Sequence, residues 1–183
     1  VLDNINKENQ ALARVKASNA LIDREAQIKT IATDLDEQIR TGKLSYDKSE
    51  EAYTAAVGKL DPIQTPGLDQ AQQGEIGNSL KRIQLGGLSN VQAAAAKGRI
   101  LSAQSDLTSR MDMLGKDAAM PGANVEQINA RMDAEDIDTA GHLAFGEAWT
   151  SKKQEFKDGN WTTHAPQRVI ESRESLGALK QVE

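Results

Sequence analysis

Apolar residues along this chain recur at steps of three, four and seven, and nowhere do they alternate. That spacing marks one face of an α-helix, whereas a half-buried strand shows a period of two. The first segment runs from about Leu2 to Arg40. Its apolar positions are Ile5, Leu12, Val15 and Ile22, then Ile28, Ala32, Leu35 and Ile39. The stripe slips by about one residue around Leu21 and Ile22, and such a slip locally unwinds or bends a coiled coil. Thr41-Gly42 ends the helix, because Gly readily takes the left-handed conformation after a last turn. Ser45 reads as the N-cap of a second helix, Tyr46 to Leu60, with Asp47, Glu50 and Glu51 at the positive end of its dipole. The short connection sets these two helices antiparallel.

Asp61-Pro62 and Thr65-Pro66-Gly67 punctuate a rigid linker. A third helix is expected from Leu68 to Leu85, with Leu68, Ile76, Leu80 and Ile83 on one face. Gly86-Gly87 either breaks it or seats it in a tight helix crossing. A fourth helix, capped by Ser89, ends near Gly115. Its heptad of Ala93, Ile100, Leu107 and Leu114, with Ala96, Ala103 and Met111 as companions, is the cleanest in the chain. Small Ala at a seam lets helix axes approach closely.

Met120-Pro121-Gly122 marks a loop, and Asn124 with Gln127 resembles a capping box. A fifth region opens at Val125, Ile128 and Met132. It passes an irregularity near Ala134 to Asp138 and ends at Asp158-Gly159-Asn160. Phe145, Trp149 and Phe156 share one face of it. Trp161 to Pro166 reads as an extended link. Gln167 to Val182 reads as a final helix carrying Val169, Ile170, Leu176, Leu179 and Val182. The expected class is all-α: an elongated antiparallel helical bundle with coiled-coil-like packing and five or six helices. Its parts are a long helical hairpin at 1–61, a bundle region at 62–159, and a linker with C-terminal helix at 160–183, together one domain. Val1 opens inside a helical pattern without a start Met, so the chain reads as a fragment of a longer one.

Composition narrows the core more than the chemistry. Aromatics are 3% of the chain, so the core must come mainly from Leu, Ile and Ala. Ala is a good helix former, and sandwiches or barrels want β-branched and aromatic residues instead. The net charge is −5, with 22 basic against 27 acidic residues and no basic run. A duplex binder needs a basic face to neutralise phosphates, so there is no strong nucleic-acid signal. No run of about 20 apolar residues exists to span a membrane. The chain has no Cys, which removes disulfides and Cys-based zinc sites.

The candidate chemistry is thin. His142 follows Asp138 by four residues, so both share a helix face, but Glu-x-x-His is absent. The acidic cluster Asp133, Glu135, Asp136 and Asp138 invites a calcium reading. Counted from Asp133, a calcium loop requires Gly at its sixth position and Glu at its twelfth. Those positions hold Asp138 and Ala144, so a solvated helix start is the better reading. The glycines of Gly74-Glu75-Ile76-Gly77 and Gly86-Gly87 lack phosphate-loop spacing. The expectation is no catalytic residue, no metal and no cofactor. Lys152, Lys153 and Lys157 border the aromatic row as a small basic spot.

The order of these features resembles a family. A long Ala/Gln/Glu-rich helix ends in Thr41-Gly42-Lys43-Leu44-Ser45 and leads into an acidic helix start at Glu50, Glu51 and Ala52. A Pro-flanked joint and Ala-rich helices follow, then an aromatic-basic helix with Trp149 and Phe156. This is similar to the helical segments of large internal virion, or DNA-ejection, proteins of tailed bacteriophages. The resemblance implies a structural helical module of a protein packaged in the capsid and delivered through the host envelope, hence a virion location. Some such proteins carry a lytic transglycosylase domain elsewhere. The Glu-Ser pairs here, Glu171-Ser172 and Glu174-Ser175, lack the aromatic surroundings of a sugar cleft. The alternative is a helical bundle sensor or a secreted-translocator interaction domain.

Either way the expected partners are proteins, or further copies of the chain in a homo-oligomer, engaged through helices. A first helix of about 39 residues is about 58 Å long at 1.5 Å per residue. The second covers less than half of it and leaves Ile5, Leu12 and Val15 needing cover. These three, with Phe145, Trp149 and Phe156, are the candidate interaction surface.

Overall fold

The computed structural model describes residues 2–163, with side chains from residue 5 onward. The described residues are 82% helical and hold no strand, so the all-α class stands. Helix α1 spans Leu2–Arg40, α2 Ser49–Val57, α3 Gln70–Ala118, α4 Val125–Arg131 and α5 Glu135–Phe145. A sixth helix, α6, occupies residues 148–163. The expected final helix, Gln167 to Val182, lies outside the described residues. The chain divides into two compact units, one of Val1–Arg99 and one beginning at Ile100. The boundary falls inside α3 rather than at the linker after residue 61.

Unit one is built on α1. Its C-terminus closes as the sequence suggests: Gly42 has φ +72°, and the Leu44 amide donates to the Gln38 carbonyl at 3.1 Å. Ser45 does not cap α2. It is extended and makes no side-chain cap bond, and a 3-10 turn at Tyr46–Lys48 intervenes before α2. The core cluster is Ile28, Ala32, Leu35, Tyr53 and Val91. Burying each Leu, Ile or Val of such a cluster contributes roughly 1.5–3 kcal/mol.

Close contacts along the helices give their directions. A Cβ placed on Gly98 lies 2.8 Å from Ile39 Cγ2 and also reaches Tyr46, while one placed on Gly87 meets Ile28 and Tyr53. Thus α2 runs antiparallel to both long helices, and α1 and α3 run the same way. The irregular segment 58–69 makes this possible by carrying the chain back along α1. Arg24, buried on α1, holds that segment by donating to the Asp61 carbonyl.

The expected third and fourth helices are one continuous α3. Gly87 does not break it, because the missing Cβ is the space that Tyr53 and Ile28 occupy. Packing there outweighs the low helix propensity of Gly. The start of α3 is set by Asp69, whose Oδ1 accepts from the Gln72 amide at 2.8 Å, while Gln72 Oε1 accepts from the Asp69 amide at 3.2 Å. The buried face in this half is Val91, Ala94 and Ala95, and the expected seam residues Ala93 and Ala96 are exposed. At about 100° per residue, Ala93 and Ala96 fall on the side of α3 away from Val91, Ala94 and Ala95, while the later members of the repeat, Ala103, Leu107, Met111 and Leu114, do pack in the core of unit two.

Unit two gathers α4, α5 and α6 on the last part of α3. Its core is Leu107, Met132, Ile137, Ala144 and Trp149. The Asn124 side chain caps α4 by accepting from the Gln127 amide at 3.0 Å. The expected single fifth region is three helices. One break follows Arg131, earlier than expected, and another falls at Gly146, whose φ is +57°. Nor does Asp158-Gly159-Asn160 end a helix: α6 runs on through it, and 161–163 are helical rather than extended. The reason is tertiary, since Asn160 is buried and its Nδ2 donates to Asn129 Oδ1 at 2.8 Å.

Candidate functional site

The six residues proposed from sequence divide sharply. Ile5, Leu12 and Val15 are 47%, 54% and 56% exposed, and Ile22 is 61% exposed. Trp149 is 0% exposed, so it is a core residue and contributes nothing to a surface. Phe145 and Phe156 pack against the same core and are partly buried.

The aromatic row is held by sequence-local features of α5 and α6. Trp149 lies against Gly141, where a Cβ would collide with the indole. Its Nε1–H donates to Asp138 Oδ1 at 2.8 Å, which satisfies the one polar atom of the buried ring. Phe145 stacks on Trp149 with ring centroids 6.3 Å apart and planes at 11°. The exposed edges of Phe145 and Phe156 line a shallow groove with Met111 and Gly115. Its rim mixes Lys116 and Lys152 with Asp112 and Glu155, so it selects neither sign of charge.

The basic spot and the acidic cluster answer each other. Lys153 Nζ lies 2.8 Å from Asp138 and 3.2 Å from Asp133, and Lys157 Nζ lies 2.7 Å from Asp133. Lys152 sits over the Phe145 ring at 4.9 Å. The carboxyl of Asp133 is held below its ordinary pKa chiefly by the hydrogen bond from Lys157. That of Asp138 is held down first by Lys153 and then by the Trp149 N–H. Lys153 is raised in turn, first by its bond to Asp138. Asp133 and Asp138 therefore form a clasp between α5, α6 and the turn before α5, while Asp136 pairs with Arg110 of α3 at 3.1 Å. His142 Nε2 is 3.7 Å from Asp138 Oδ2 on the shared face of α5. Among the described residues, no three His, Asp or Glu side chains converge as a metal site would require.

The remaining feature is the outer face of α1. At about 100° per residue, the buried face is Ala13, Ala17, Leu21, Arg24, Ile28, Ala32, Leu35 and Ile39. The opposite face carries Ile5, Glu8, Leu12, Val15, Asn19, Ile22 and Ala26, all exposed. These seven positions advance by three and four in strict alternation, the heptad spacing of a coiled-coil seam. The slip near Leu21 and Ile22 is the crossing from one face to the other, not an irregularity in the helix. Sequence reasoning named Ile5, Leu12 and Val15 but missed Glu8, Asn19 and Ala26, because a search for apolar residues steps over polar seam positions. The alternating spacing itself was the available signal. Among the described residues, no helix is long and apolar enough to cross a membrane. No family model, no curated protein and no solved structure matches this chain.

Proposed function

We propose that the chain is a non-enzymatic structural and interaction module, a helical segment of an internal virion or DNA-ejection type protein of a tailed bacteriophage. The observation that carries the interaction reading is the outer face of α1. One face of this helix is used in its own core, and the other presents Ile5, Leu12, Val15 and Ile22 to solvent at heptad spacing. Leaving four such side chains in water forgoes several kcal/mol, at about 1.5–3 kcal/mol each. A helix with two apolar faces joins two bodies. The phage placement rests on the order of features along the sequence, from the long first helix to the aromatic-basic α6.

The test is peptide mass spectrometry on particles purified from the source of this sequence. Peptides of the chain in stoichiometric amount in intact particles are the expected outcome. Peptides confined to the soluble, unassembled fraction overturn the virion reading. Replacing Leu12→Lys and Val15→Lys together in the parent gene is expected to reduce incorporation without loss of expression.

A further inference from the structure

We infer that the outer face of α1 binds a second copy of this chain, as an antiparallel pair of helices with a two-fold axis midway between Ala13 and Arg14. This deepens the interaction reading above and rests on it only for the claim that the seam is used. The pattern of the seam is symmetric about that point. In the antiparallel register Ile5 lies opposite the partner's Ile22, and Leu12 lies opposite the partner's Val15. Each pair occurs twice by symmetry, so four layers are purely apolar.

The polar positions select the same arrangement. Glu8 lies opposite the partner's Asn19, whose side-chain N–H can donate to the carboxylate, and this pair too occurs twice. A polar residue at a seam position specifies register and orientation in this way. A parallel pair sets Glu8 against Glu8, two like charges in an apolar seam, which is destabilising. The flanks also agree: Ala11 lies near the partner's Ser18, and Lys16 near the partner's Asn9, so no like charges meet. All of these residues are exposed. The opposite face of α1 is already filled by Ile28, Ala32 and Leu35 in the core, so pairing needs no unfolding.

The chain has no Cys, so single cysteines report directly on the arrangement. Full-length Ile5→Cys and Ile22→Cys variants are prepared separately, then oxidised alone and mixed. The antiparallel pair gives a disulfide between the two variants and none within either. Like residues in such a pair lie about 25 Å apart along the axis at 1.5 Å per residue, whereas a disulfide needs Cα atoms within about 7 Å. Sedimentation equilibrium of the unmodified chain is expected to show a reversible dimer. Leu12→Lys with Val15→Lys abolishes it without loss of helicity. Asn19→Lys tightens it, because the new cation faces the partner's Glu8.

A strictly monomeric chain overturns the inference, and so does crosslinking of Ile5→Cys with itself. A heterologous protein that occupies the seam of a monomeric chain also overturns it, while leaving the interaction reading in place. A chain that dimerises as described but is missing from purified particles separates the opposite way: the pairing stands and the virion reading fails.

Discussion

Two adjacent glycines show how much one residue's surroundings decide. A Cβ on Gly86 meets nothing within 4 Å, whereas one on Gly87 runs into the Tyr53 hydroxyl and Ile28. Gly in a helix interior costs about 0.5–1 kcal/mol relative to Ala. Gly86→Ala is therefore expected to stabilise the chain by that amount. Gly87→Ala is expected to destabilise it by roughly 1–3 kcal/mol, the usual cost of overpacking. It must displace a hydroxyl that donates to the Gln84 carbonyl at 2.6 Å. Denaturant midpoints of the two single variants check both signs; equal effects would show that the crossing at Gly87 is looser than described. In the sequence the two glycines are indistinguishable. Trp149 makes the same point: its spacing set it in an aromatic row on one helix face, whereas Gly146 divides that row between α5 and α6 and the ring is sealed between Gly141 and Asp138.

At the scale of the element, α1 has two faces with different duties, and substitutions on them should separate. Leu35→Ala opens a hole in the unit-one core and is expected to cost roughly 2–5 kcal/mol. Val15→Ala lies on the solvent face and is expected to change monomer stability by no more than about 0.5 kcal/mol. Thermal melts at concentrations low enough to suppress pairing test this contrast. A large loss in Val15→Ala under those conditions would place the seam in the chain's own core. The C-terminal end of α1 follows from local chemistry, a helical pattern closed by Gly42. Which of its two stripes is buried does not, because both carry aliphatic residues at helical spacing. Arg24 sits on the buried one only because the Asp61 carbonyl is there to receive it.

At the scale of the whole molecule, pH acts on unit two through its charge pairs. Unit two is clasped by Asp133, Asp138, Lys153 and Lys157. Both aspartates are depressed below the ordinary carboxylate value of 3.8. Their contribution is complete above that value and is lost as pH falls through the lower folded values. Lys153 is raised above 10.5, so its contribution is present below that value and lost as pH rises through the folded one. Stability is expected to hold between these limits and to fall on the acid side below about pH 4 as the carboxylates protonate. Melting temperature against pH, followed by circular dichroism, tests this, with Asp138→Asn as the comparison. An acid limb as steep in that variant as in the parent would remove Asp138 from the account.

The sequence by itself determined the helical class, the end of α1, the linker around its prolines and the cap of α4. Each of these depends on helical spacing, on Gly and Pro backbone preferences, or on a side chain reaching its own neighbours. Only the tertiary structure decided that α3 is continuous through Gly86-Gly87 and that α6 is continuous through Gly159-Asn160. It also decided that the charges around Asp138 pair with one another. Each of those outcomes turns on a partner distant in sequence: Tyr53 for Gly87, Asn129 for Asn160, and Lys153 for Asp138. A local pattern states which residues can form a helix and which stripe is apolar. It holds no information on which stripe another part of the chain will reach, and on α1 that choice left Ile5, Leu12, Val15 and Ile22 in solvent.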